Sequence, residues 1–147
     1  MPGDVQLERL LPHRGAMSML SRVLRHSDDE TTCAIEIAEQ ELFRDADGGV
    51  AAWIGIEYMA QCIAAHAGLL SEDDGVPRIG YLASIRGLRF HCERFGPTQR
   101  LEATVRRVWG GPEGLSSFAC TLSDANTGAP MAEGRISCFV PAKEASG

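Results

Sequence analysis

The stretch "GGVAAWIGIEYMAQCIAAHAGLL", Gly48 to Leu70, places apolar side chains on nearly every side of a helical wheel, broken by Glu57, Gln61 and His66. Such a run predicts a buried helix. Its residue count would reach across a bilayer, but three polar side chains and many Ala and Gly residues favour a core helix over a membrane span. Upstream, "MSMLSRVLRH" and "ETTCAIEIAE" each fit a strand joined by the turn "HSDDE". In the second, Cys33, Ile35 and Ile37 alternate with Thr32, Ala34 and Glu36, the period of a half-buried strand. The loop "EQELFRDADGG" leads into the helix, with Asp47 at the N-cap position and Gly48 and Gly49 at the entrance. The helix is expected to end near "GLLSEDDGVP", a turn closed by Gly75 and Pro77.

Beyond that turn, the pattern changes to strands: "RIGYLASIRGLRFH", "QRLEATVRRVWG", "LSSFACTLSD" and "MAEGRISCFVP", parted by the turn signals "RFGP", "GGPEG" and "ANTGAP". Phe118, Cys120 and Leu122 share one face, as do Ile136, Cys138 and Val140. One long helix and about six mostly meandering strands predict an α+β domain. An antiparallel sheet has one face to bury, and one apolar helix is at hand to bury it. The expected architecture is a sheet wrapped around that helix.

With 147 residues and 44% hydrophobic side chains, the chain fits a single domain, 1–147, around one core, with residues 142–147 ("AKEASG") as a frayed tail. The first residues hold early acidic side chains and no apolar region with a cleavage site, so no secretory signal is expected and the cytoplasm is the expected location. Five cysteines, odd in number and never spaced C-x-x-C, point to reduced core residues. No ligand-spaced cluster suggests a metal, and no glycine-rich nucleotide motif suggests a bound cofactor. The net charge of −6 argues against nucleic acid. It is uneven, however: seven Arg against two Glu lie between residues 76 and 107. That stretch is either a solvated strand face or a docking patch for an acidic carrier.

A buried ionised carboxylate costs several kcal/mol unless it is paired or gives up its charge, so Glu57 requires a reason. Gln61, one turn further, shares its face and can satisfy it or touch a substrate. Apolar surroundings favour the neutral form of a carboxyl group, which can then act as a general acid near neutral pH.

Several segments together resemble the hot-dog fold and, within it, the FabZ-like 3-hydroxyacyl-(acyl carrier protein) dehydratases. "LLPHRGAMSMLSRVL" is similar to their Leu-Pro-His-Arg segment and first strand, "IGIEYMAQ" to the run on their central helix, and "YLASIRGLRFHCERFGPTQRLEATV" to the strand, turn and strand that follow. The likeness covers roughly residues 7 to 140. A narrower resemblance, through "FRDADG" and "WIGIEYMAQ", is to ApeP-type accessory dehydratases of aryl polyene clusters.

The resemblance implies a dehydration in which a loop His removes the α-proton of a 3-hydroxyacyl thioester, while a helix Glu of the neighbouring protomer protonates the departing hydroxyl. Glycine N–H groups at the helix entrance polarise the carbonyl. Glu57 matches the helix acid, Gln61 a substrate contact, and Gly48 and Gly49 the glycine entrance. The substrate would arrive on the phosphopantetheine arm of acyl carrier protein, with no other cofactor.

The family's Gly-His-Phe-Pro loop is replaced here by "FRDADGG", which has no histidine. His66, nine residues past Glu57, falls on the opposite side of the helix and is expected in the core or an interface. His26 is expected in a solvated turn and His91 exposed at a strand end. His13, in "LPHRG", is the remaining candidate for contact with substrate; Asp45 and Asp47 are alternative carboxylates. Tyr81 either lines the acyl tunnel or packs within its strand.

The protein is thus expected to form a homodimer, or a heterodimer with a related hot-dog subunit that supplies the missing His. A hot-dog acyl thioesterase using Glu57 and Gln61, and a non-catalytic acyl-binding subunit, stay open as alternatives.

Overall fold

The computed structural model describes residues 19–74 and 80–141. His13, the Gly75/Pro77 turn and the tail from residue 142 lie outside the described residues. The chain runs through β1 (Arg22–His26), β2 (Glu30–Glu36), β3 (Val50–Ala51), the helix α1 (Gly55–Asp74), β4 (Tyr81–Phe90), β5 (Arg94–Phe95), β6 (Arg100–Trp109), β7 (Gly114–Asp124) and β8 (Pro130–Val140). Six strands form one antiparallel sheet in the order β1-β2-β6-β7-β8-β4, and β3 pairs with β5 apart from it. The sheet curls about α1, which lies mainly over β2, β6 and β7. This is the α+β hot-dog arrangement.

The helix begins later than the apolar run suggests. Val50 and Ala51 pair with Phe95 and Arg94, the Ala52 amide donates to the Glu93 carbonyl at 2.9 Å, and a 3-10 turn, Ala52–Ile54, precedes α1. A run apolar on all sides cannot by itself separate a buried strand from a buried helix. Here the choice goes to pairing, because Val50 and Phe95 are both fully buried.

α1 inserts Tyr58, Met59, Cys62 and Leu69 against Ile35, Val105 and Leu122 of the sheet. Approach is closest at Gly55, where a Cβ would stand 2.6 Å from Leu122 Cδ1. The alternating faces expected of β7 and β8 are present, with Phe118, Cys120, Leu122, Ile136, Cys138 and Val140 all buried. β2 departs from expectation: Thr32 and Ala34 are buried as well as Cys33 and Ile35. The outward rung is satisfied by a Thr32–Thr104 hydroxyl bond of 2.9 Å, as buried polar groups require.

β4 is an edge strand and is largely exposed, with only Ser84 and Leu88 half-buried. Its register against β8 breaks between Leu82 and Ser84 and again between Arg86 and Arg89. Arg86 faces Arg135 across that ladder, whereas Arg89 faces Glu133.

Candidate active site

Helical periodicity stacks Glu57, Ala60, Gln61, Ala64, Ala67 and Leu70 along one face of α1. The methyl side chains of the three alanines leave room beneath them. The result is a cavity of about 190 Å³ between α1 and the sheet, walled opposite by Leu82, Arg107, Ser116, Phe118, Cys138 and Val140. Most of that lining is hydrocarbon, which suits an acyl chain better than a polar metabolite.

Glu57 is half-buried at this wall rather than sealed in the core. Its Oε1 accepts a hydrogen bond from Gln61 Nε2 at 3.3 Å. The Met19 peptide N–H donates to Gln61 Oε1 at 2.8 Å. A peptide N–H can only donate, so the amide oxygen of Gln61 must face Met19 and its NH₂ must face Glu57. Gln61 is itself buried, and this contact fixes one carboxylate oxygen while leaving the other to meet a ligand.

The glycine pair does something other than what the sequence suggested. Gly49 lies six residues before α1 and is followed by β3, not by the helix. The Gly48 N–H donates to the Asp45 carbonyl at 2.9 Å, and the Gly49 N–H to Asp47 Oδ1 at 2.9 Å. Both donors are spent inside the loop, and neither residue lines the cavity. Gly48 is needed for its φ of 91°. At Gly49 a Cβ would run into the Arg94 guanidinium and the Phe95 carbonyl.

Asp47 therefore caps a loop turn, not the helix, and Asp45 is not simply solvated. Arg94 grips both, with 3.0 Å from Nε to Asp45 Oδ2 and 2.6 Å from Nη2 to Asp47 Oδ1. The Arg94 hydrogen bond, helped by the Gly49 amide, holds the Asp47 carboxyl below the usual carboxylate range. In the same loop Phe43 is exposed and adopts φ of 67°, an uncommon conformation for a bulky residue.

Tyr81 is exposed at the start of β4; its neighbours Gly80 and Leu82 line the cavity instead. Strand alternation turns its ring away. His91 is exposed and pairs with Glu133 at 2.8 Å. His26 ends β1, where its Nδ1 bonds the Thr31 hydroxyl at 2.9 Å in a part-buried position, so the solvated turn expected for it is not found.

His66 is buried as expected, yet it lines the same cavity as Glu57. Its Nδ1 shares the Thr31 hydroxyl at 2.8 Å, and its ring meets Phe118 and His26 edge-on at 5.6 and 5.4 Å. Burial, then the nearby His26 and Arg107, pushes its pKa down to about 4. Sequence spacing missed this because the cavity extends past one helical face.

Among the described arginines between residues 76 and 107, Arg94 is held by the loop, Arg100 by Glu36 at 3.0 Å and Arg107 by Asp29 at 2.9 Å. Among the described residues no cluster of His, Cys, Asp and Glu could hold a metal. The five cysteines are free and at least partly buried, and burial raises the Cys120 thiol to about 12. No described helix is long and apolar enough to cross a membrane.

One long helix enfolded by a curled antiparallel sheet among the described residues, with the Glu57 carboxylate set in an apolar cavity, defines a hot-dog protein. Within that class the chain belongs to the ApeP-like family, described as ApeP dehydratase, whose model matches residues 5–146.

The dehydratase heterocomplex ApeI:P from Xenorhabdus doucetiae superposes with a TM-score of 0.84 at 24% identity, covering 95% of this chain and 93% of that one. A hypothetical thioesterase with coenzyme A from Streptococcus pneumoniae superposes at 0.61, with 10% identity and coverage of 84% and 87%. Zebra fish thioesterase superfamily member 2 superposes at 0.65, with 12% identity and coverage of 89% and 90%. At these identities the superpositions speak for the shared fold. No curated protein matches the chain in sequence.

Proposed function

We propose that this protein is the Glu-bearing subunit of a 3-hydroxyacyl thioester dehydratase of aryl polyene biosynthesis, completed by a related hot-dog subunit that supplies the proton-abstracting histidine. The observation that carries the reading is Glu57, set by Gln61 and Met19 at the wall of an apolar cavity, while the loop "FRDADGG" has no histidine and its two aspartates are held by Arg94. Glu57 acts as the general acid toward the departing hydroxyl, and Gln61 positions it.

The similar Xenorhabdus doucetiae structure, a dehydratase heterocomplex, supports such a pairing, and β4 supplies an exposed sheet edge on which a second subunit can continue the ladder. The substrate is carried by acyl carrier protein, whose acidic surface suits Arg86 and Arg135, adjacent across the β4–β8 ladder. Gly48 and Gly49 contribute by shaping the loop, through the bonds to Asp45 and Asp47, and not as carbonyl donors. His13 stays a candidate for substrate contact on sequence grounds alone.

The deciding experiment is a 3-hydroxyacyl-carrier dehydration assay on the purified protein, then on its mixture with a histidine-bearing hot-dog subunit encoded in the same genome. Activity only in the mixture supports the reading; full activity of the chain alone removes the need for a partner. The thioesterase alternative rests on the coenzyme A-bound neighbour of the same fold, and release of free thiol from acyl-CoA by this chain would favour it.

A further inference from the structure

The hydrogen bonds that fix Glu57 do not stop at Gln61. Met19, whose N–H holds the Gln61 oxygen at 2.8 Å, stands three residues before β1 and outside its ladder with β2. Its carbonyl is taken by a side chain instead: Gln40 Nε2 donates to it at 3.0 Å, and to the Glu36 carbonyl at 3.1 Å. A carbonyl can only accept, so the NH₂ end of Gln40 must face both, and both of its hydrogens are in use.

Gln40 is itself held by the sheet. It closes the 3-10 turn Ile37–Glu39 that follows β2, with its backbone N–H on the Ile37 carbonyl at 3.1 Å; the Ile37 N–H in turn donates to the Gln99 carbonyl at 3.1 Å. Gln40, Met19 and Gln61 are all buried, so a bond lost among them is not readily replaced by water. Gln40 nonetheless does not line the cavity.

The direction of these bonds bears on the acid. With the Gln61 N–H on Oε1, the hydrogen of a protonated Glu57 is left to Oε2. A Gln61 amide turned end for end would offer Glu57 its oxygen, draw that hydrogen to Oε1 and hold it within the helix. The Met19 N–H opposes the turn, because it would then meet the NH₂ group donor against donor, and Gln40 keeps Met19 where it can do so.

We infer that Gln40 is a positioning residue for Glu57, acting through Met19 and Gln61 to keep the acidic hydrogen on the oxygen left open to substrate. This rests on the dehydration reading above. In that reaction Glu57 gives the hydrogen to the departing hydroxyl, which leaves as water as the C–O bond breaks, while the partner's histidine takes the α-proton and the C=C bond forms.

The test is steady-state dehydration of 3-hydroxydecanoyl-(acyl carrier protein) by the chain reconstituted with a histidine-bearing hot-dog subunit. Gln40→Met keeps the length of the side chain and removes both donors. It is expected to lower kcat about tenfold, the equivalent of one net hydrogen bond, and to leave KM within about twofold. A double-mutant cycle separates positioning from general packing: Gln61→Met alone should lower kcat, and Gln40→Met added to it should change little more.

A second readout needs no variant: the side-chain NH₂ hydrogens of Gln40 should exchange with deuterium far more slowly than those of a solvated amide. An unchanged kcat in Gln40→Met, a full further loss on the Gln61→Met background, or unprotected Gln40 hydrogens each overturn the inference and leave the role of Glu57 standing. Absence of dehydration by the unmodified pair removes the dehydratase reading, and the inference falls with it.

Discussion

Acidification should destabilise this protein through His66 before most of its carboxylates respond. The ring's ordinary pKa of 6.5 falls to about 4 in the fold, first because burial penalises the imidazolium and then because His26 and Arg107 stand nearby. Asp29 and the Asp28 carbonyl, from the turn between β1 and β2, oppose the shift; Thr31 of β2 and Phe118 of β7 complete the surroundings.

Between those two values the unfolded chain takes up a proton that the folded one refuses, so stability rises with pH across the window. It is fully present above about 6.5, drains as the pH falls toward 4, and levels off below. A shift of roughly 2.5 units at about 1.36 kcal/mol each corresponds to about 3 kcal/mol. That is a large share of the ~5–15 kcal/mol typical of a domain.

Asp47 and Asp124 are both held below the ordinary carboxylate range by their hydrogen bonds, so their losses begin at lower pH. Urea unfolding followed by tryptophan fluorescence, at several pH values between about 7.5 and 4.5, should show this slope in the unmodified protein. His66→Phe, which has no proton to bind, should lack most of it. An equally steep loss in the variant would refute the assignment.

Glu57→Gln should lower dehydration in the reconstituted pair by about 10²–10⁴-fold, with little change in melting temperature because the amide oxygen still accepts from Gln61; enoyl absorbance reads the first and calorimetry the second. Arg94→Ala removes ion pairs that are about half exposed, so the midpoint of denaturant unfolding should barely move. Hydrogen exchange at the Gly48 and Gly49 amides should nonetheless quicken as the loop loses its clamp. Gly55→Val drives a branched side chain into Leu122 and Phe95 and should cost about 1–3 kcal/mol in denaturant unfolding.

The strands after the helix were legible because each alternates cleanly between Gly/Pro turns, so that β6, β7 and β8 could be bounded from period two alone. The start of the helix was not, since Val50 and Ala51 are as apolar as the helix itself and only pairing with Arg94 and Phe95, more than forty positions away, makes them a strand. The same distance hid the Arg94 clamp, which turned an expected N-cap, Asp47, into a loop anchor.

Glu57 and Gln61 were readable as neighbours because helical spacing is local. Gln61's orientation was not, because it is set by a peptide N–H from Met19. His66 was placed correctly in the core but on the wrong side of the chemistry, since a helical wheel says nothing about how far a cavity wraps around its helix.

Among the described residues, β4 leaves ten residues of sheet edge without a partner strand. A long flat edge is a template for uncontrolled stacking between molecules, and a lone chain carries that hazard. Two breaks in register and the charges of Arg86 and Arg89 interrupt the flatness and the neutrality that stacking needs. The edge is thereby fit to receive one well-matched neighbour and poorly fit to seed a precipitate. Smoothing those breaks and neutralising those arginines would exchange a chain that can wait in solution for one that cannot.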